Sequence, residues 1–110
     1  PRILFIKGAG IHLESIAEVV KGTGCEAVAI DDTITPERAR AVLGGHCAIQ
    51  GNLPPEALFA PIPDLCAHAR KILEAFRGEP GHVFNLGHGI TPPTPIPHVR
   101  AVIEEVQKFR

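Results

Sequence analysis

The segment Gly81-His82-Val83-Phe84-Asn85-Leu86-Gly87-His88-Gly89-Ile90 ends a short apolar run in an imidazole held between two glycines. Such a side chain is poorly placed for packing. It is well placed for a ligand, because glycine lets backbone and substrate approach closely. Histidine titrates near neutrality, so His88 could move a proton or hydrogen-bond a carboxylate; the plainer reading is a loop histidine bonded to a carbonyl. Three earlier apolar runs also end in polar residues: Lys7, then Asp31 with Asp32, then Gln50 with Asn52. Each has its own alternatives. Lys7 is a rim contact to substrate or a lysine snorkelling out of a strand. Asp31 and Asp32 are adjacent, so on a strand they point apart, and a cap or ion-pair role is expected of at least one. Gln50 and Asn52 either touch substrate or satisfy loop backbone. No ligand pair has zinc-like spacing, and no metal is expected.

The elements that must position these residues alternate. Ile3 to Ile6 reads as a strand buried on both faces. Leu13, Ile16, Ala17 and Val20 follow at helical spacing, with Gly22 and Gly24 ending that helix. Ala27 to Ile30 is a second strand. Thr35-Pro36 then reads as an N-cap with proline at the first helical position, before Ala39, Val42 and Leu43. Cys47 to Ile49 is a third strand, and a proline-rich loop leads to a helix capped by Asp64 with Leu65, Ala69, Ile72 and Phe76 inward. After a turn at Gly78–Gly81, Val83 to Leu86 is the fourth strand. The fourth helix starts near Pro97, with Val99, Val102, Ile103 and Val106 facing inward. The order βαβαβαβα predicts an α/β fold with parallel strands. Ligands then bind at the carboxyl ends of the strands, where all the polar residues above fall. His46 and His82 precede strands, on the opposite rim, where a role in stability is expected; His12, His68 and His98 read as solvent-exposed. A flavodoxin-like sheet suits the element count, but Lys7-Gly8-Ala9-Gly10 lacks the G-x-G-x-x-G phosphate-loop spacing.

The 110 residues fit one domain without an internal boundary, and 45% hydrophobic with 21% charged residues fits a globular chain. A net charge of -1 and five aromatics, all Phe, argue against nucleic-acid binding. No apolar run approaches the roughly 20 residues that span a bilayer, and no basic-then-apolar stretch reads as a signal peptide. Cys25, Cys47 and Cys66 are widely spaced and odd in number, so reduced thiols in the cytoplasm are expected. The chain starts at Pro1 inside an apolar run and has no Met, which leads us to expect a piece of something longer.

Four segments occur together in order: Phe5-Ile6-Lys7-Gly8, Ile30-Asp31, Gln50-Gly51-Asn52-Leu53 and Asn85-Leu86-Gly87-His88-Gly89. With them the chain resembles, over essentially its whole length, the carboxyl-terminal third of the uroporphyrinogen decarboxylase family. The resemblance implies the C-terminal half, (βα)₄, of a TIM (β/α)₈ barrel, a fold that needs roughly 250 residues. It implies a cofactor-independent carboxy-lyase of haem biosynthesis that removes four acetate carboxyls from uroporphyrinogen III to give coproporphyrinogen III. The family's active-site histidine falls on His88. Lys7, Asp31 and Gln50 are further candidates for substrate contact. The family's arginine-bearing loop and its pyrrole-binding aspartate have no counterpart here, so the segment alone is expected to be inactive.

Two departures stand out. Asp32 occupies the place of a usual Trp and adds a charge near the mouth, and Pro54-Pro55 replaces a usual Asp-Pro and removes a helix-capping acid. The corrinoid-linked methyltransferases of the same superfamily carry a His-x-Cys pair where this chain reads Phe5-Ile6-Lys7, and a Cys at the place of His88. Other readings are a different decarboxylase- or methyltransferase-like member, or a half-barrel that only self-associates. Its unpaired edges lead us to expect a homodimer or higher homo-oligomer.

Overall fold

A computed structural model describes residues 1–79 and 81–109. Four strands, β1 (Ile3–Phe5), β2 (Ala27–Ala29), β3 (Ala48–Gln50) and β4 (His82–Val83), form one parallel sheet in the order β1-β2-β3-β4. Each strand is followed by a helix: α1 (Leu13–Thr23), α2 (Pro36–Leu43), α3 (Ile62–Ala75) and α4 (Ile96–Lys108). Strand order equals chain order, so the sheet has no point at which the winding reverses. That excludes the flavodoxin-like arrangement, whose ligand crevice is such a reversal, and leaves half of a (β/α)₈ barrel.

The pairing register explains why only one face of the sheet is covered. Leu4, Val28, Ile49 and His82 align on one row. They point to the helices, and Val28 and Ile49 are buried with Leu13, Val20, Leu43, Leu65 and Phe76. Phe5, Ala29, Gln50 and Val83 align on the row that faces the other way. Phe5 is 46% and Val83 48% exposed, and Ile3 on the same face of β1 is 56% exposed. The expectation that the first strand is buried on both faces is therefore corrected: β1 is an edge strand with one face packed and one bare. Its apolar residues on both faces are those of a barrel strand whose inner face needs neighbours that these four units do not supply.

Several boundaries differ from the sequence pattern for local reasons. Gly22 lies within α1, and Gly24, in the left-handed region with φ 64°, ends it by donating its N–H to the Val20 carbonyl. Thr35 caps α2, accepting from the Arg38 N–H at 3.2 Å, with Pro36 at the first helical position. Asp64 does not cap α3. That helix starts earlier, after Pro61, and Asp64 sits in its first turn, where a negative charge suits the helix dipole. Two 3-10 turns, Ala9–His12 and Pro55–Phe59, precede α1 and α3. In α4, Val102 is buried, Val99 and Val106 are half-buried, and Ile103 is 51% exposed, contrary to its inward assignment. Of the named elements this helix packs against α3 and the Pro55–Phe59 turn, and Ile96 and Ile103 on the outer side of its stripe are exposed. The expected Gly78–Gly81 turn includes Pro80, which lies outside the described residues.

The fourth strand is regular only over His82–Val83, but its pairing with the segment after β3 continues. The Gly51 N–H donates to the Val83 carbonyl, Leu53 to Asn85, and Gly87 to Leu53. This ladder carries the chain to the threshold of His88. His82 anchors its start: the ring stacks on Phe76 at 4.1 Å, and Nε2–H donates to the Gly51 carbonyl at 2.8 Å. Burial pulls the His82 pKa below its ordinary value, against the opposing effect of the Gly51 bond. His98, expected to be solvent-exposed, is instead half-buried and bonded through Nδ1 to the Leu58 carbonyl at 2.7 Å.

Candidate active site

Asp31 organises the rim from below. It is 2% exposed. Its carboxylate accepts from the Gly8 N–H at 2.5 Å, the Thr33 N–H at 3.0 Å and the Thr33 hydroxyl at 2.5 Å. Burial alone would raise its pKa. The hydrogen bonds from Thr33 and Gly8, helped by the nearby His88 ring, outweigh burial and leave the pKa below the ordinary carboxylate value. Asp31 thus joins the loop after β1 to the loop after β2. Asn52 joins the next pair. It is 3% exposed, and its Nδ2 donates to the carbonyls of Asp31 at 2.9 Å and Ile34 at 2.6 Å.

Glycine then lets the loops close up. At Gly51 the backbone has φ 134°, and a Cβ would lie 2.7 Å from the Ile30 carbonyl oxygen. At Gly87 a Cβ would lie 2.7 Å from the Asp32 amide nitrogen. Both distances are shorter than real Cβ contacts, so only glycine allows the loop after β4 to rest against Asp31-Asp32. The glycine before His88 therefore accommodates the chain's own backbone, which delivers the imidazole beside Asp32.

His88 lines a hollow of about 570 Å³ on the bare face of the sheet, together with Ile3, Phe5, Ala29, Gln50 and Asn85. The floor is apolar and formed by the strands. The polar groups sit at the strand ends. Of the four sequence-predicted site residues, the structure brings Gln50 and His88 to this hollow. Asp31 stands behind it as a loop anchor. Lys7 is exposed in the turn after β1, which ends at Phe5, and is outside the lining. A larger hollow of about 640 Å³ runs along α4 between Ile90, Ile96, Val99 and Ile103, and holds none of the predicted residues.

Sequence reasoning missed Glu56. It sits on the Pro55–Phe59 turn, and its Oε1 lies 3.7 Å from His88 Nε2. One ligand-type atom each from Asp32, Glu56 and His88 lie within 4.8 Å of one another, two oxygens and a nitrogen that could hold a cation. Exposed acidic groups commonly gather without one, so the grouping by itself assigns no metal. No pattern in the chain points to Glu56; its nearness to His88 follows from the pairing of Leu53 with Leu86, which the fold alone reveals.

The family model for uroporphyrinogen decarboxylase (URO-D) matches residues 1–109. Uroporphyrinogen decarboxylases of Aromatoleum aromaticum and Azoarcus sp. are 47% identical over 108 residues and 49% over 106, covering 98% and 96% of this chain. That of Paraburkholderia xenovorans is 46% identical over 108 residues. The chain spans only 28–29% of the length of these relatives. A solved methyltransferase from Methanosarcina mazei superposes with a TM-score of 0.76 at 25% identity, over 97% of this chain and 31% of its own. With four parallel βα units in barrel order and a family match across nearly every residue, the chain belongs to the uroporphyrinogen decarboxylase family.

Proposed function

We propose that this chain is the last four βα units of a uroporphyrinogen decarboxylase, a single segment over residues 1–110, and that His88 meets a carboxylate of the porphyrinogen. The observation that carries this reading is the position of His88: over an apolar hollow, at the strand ends, in the loop that closes against Asp31-Asp32. In the proposed reaction an acetate side chain loses CO₂, and the electron pair of the broken C–C bond moves into a pyrrole ring protonated beforehand. Protonation of the resulting methylene gives a methyl group, and loss of the ring proton restores the pyrrole. This needs no organic cofactor, because the substrate ring is itself the electron sink. The protein has to hold carboxylates, exclude water and manage protons. His88 hydrogen-bonds the carboxylate and shuttles a proton to or from the reacting carbons. Gln50 shares the hollow, Asp31 acts by holding the rim loops together, and Lys7 adds positive charge near the mouth for an anionic substrate.

The apolar floor of the hollow suits the faces of pyrrole rings better than a small polar donor. A methyltransferase reading is less well supported, since the chain has no thiol near His88: Cys25, Cys47 and Cys66 are free and lie elsewhere. Free thiols fit a reducing compartment such as the cytoplasm, and no helix among the described residues is long and apolar enough to cross a membrane. The segment by itself is inactive in this account, because half of the barrel wall is not among its residues. The test is chromatography of products after anaerobic incubation of the full-length polypeptide with uroporphyrinogen III. Successive loss of four carboxyls to coproporphyrinogen III is expected. Recovery of unchanged substrate would overturn the reading.

A further inference from the structure

We infer that Glu56 is a positioning residue for His88, holding the imidazole in the orientation in which its other ring nitrogen serves the substrate; this rests on the proposed role of His88. The backbone at Gly87 sets where the loop lies against Asp32, not how the imidazole is turned. Gly87 and Gly89 flank it, and the space around a Cβ at Gly89 would be open. A side-chain partner can then fix how the ring is turned. Glu56 faces the ring, with Oε1 3.7 Å from Nε2, an ion pair whenever the imidazole carries its second proton. It stands on a short, well-anchored turn, since Pro55 and Leu58 on either side of it are buried. The carboxylate itself is exposed, so it can follow the ring as substrate enters.

Of the other acids near His88, one is engaged elsewhere and one also borders the ring. Asp31 is committed to Gly8 and Thr33. Asp32 has its backbone pressed against Gly87, and its carboxylate completes the group of three around the ring. A carboxylate facing Nε2 holds that side of the ring. That leaves Nδ1 as the nitrogen for the substrate. An exposed pair contributes modestly, so the effect on rate is small but specific.

Two measurements test this. In the isotope-labelled full-length polypeptide, ¹³C relaxation of the His88 Cε1–H group reads the order of the ring directly. Glu56→Ala is expected to make the ring more mobile, and Glu56→Gln, which keeps reach and an acceptor, to restore most of its order. An unchanged ring in Glu56→Ala, with the amide spectrum otherwise intact, would overturn the inference. In the full-length polypeptide, Glu56→Ala is expected to lower kcat about two- to fivefold, the range an exposed pair supports, with less than about a twofold change in KM. The loss should vanish in a His88→Asn background. Losses that simply multiply would mean that Glu56 does not act through His88. If the ring depends on Glu56 but the full-length polypeptide does not decarboxylate uroporphyrinogen, the functional reading falls and the positioning role stands.

Discussion

At the scale of single residues, the rim divides into groups that hold the loops and groups that face the hollow. Asp31 belongs to the first kind, and its three hydrogen bonds favour the ionised form. Its pKa is depressed on folding. The stability it contributes is thus present above the ordinary value of 3.8 and is lost as pH falls through the lower folded value. Asp31→Asn places an N–H against donors and is expected to cost about 1–3 kcal/mol at neutral pH. Urea unfolding of the two proteins should show that difference shrinking as pH drops below 3.8; a gap independent of pH would mean that the charge on Asp31 is not what the loops require. His88 belongs to the second kind. The residue type, its flanking glycines and its place at a strand end were legible in the chain itself. The carboxylate at Glu56 was not, because it comes from a 3-10 turn that leaves no periodic trace in a loop of prolines.

Among the elements, alternation of apolar runs and helical stripes was enough to read four βα units in order. The strand ends were legible to about a residue: β2 stops at Ala29 and β3 runs from Ala48 to Gln50. Caps were read unevenly. Thr35-Pro36 carries a local signal that contacts elsewhere do not override. Asp64 carries a similar one, yet α3 begins before it, because Pro61 already supplies the start and Ile62 the first helical position. The fourth strand is shorter in regular form than its apolar run, since Asn85 turns its side chain back onto the Leu86 N–H at 2.8 Å. The ladder with residues 51–53 nevertheless continues to Gly87. What periodicity could not show is which apolar residues lack a partner. Ile3, Phe5 and Ile103 look like core in the sequence, and their exposure follows from the number of elements present rather than from their own pattern.

At the scale of the whole molecule, the bare inner face and the two strand edges dominate. Ile3, Phe5, Val83 and Ile90 leave apolar area in water on one side of the sheet, and β1 and β4 each have an unpaired edge among the described residues. The isolated 110-residue chain is expected to cover that face with another copy of itself and to sediment as a dimer or larger homo-oligomer; a well-folded monomer at micromolar concentration would contradict this. The proposed function depends on whether the imidazole at the open mouth takes part in the removal of acetate carboxyls. The most direct measurement is the rate of each successive decarboxylation of uroporphyrinogen III by the full-length polypeptide carrying His88→Asn. A fall in turnover of about 10²-fold is predicted, the scale of a lost proton-transfer group, with partly decarboxylated intermediates accumulating. Turnover equal to the wild type for all four acetates would contradict the central role given to His88.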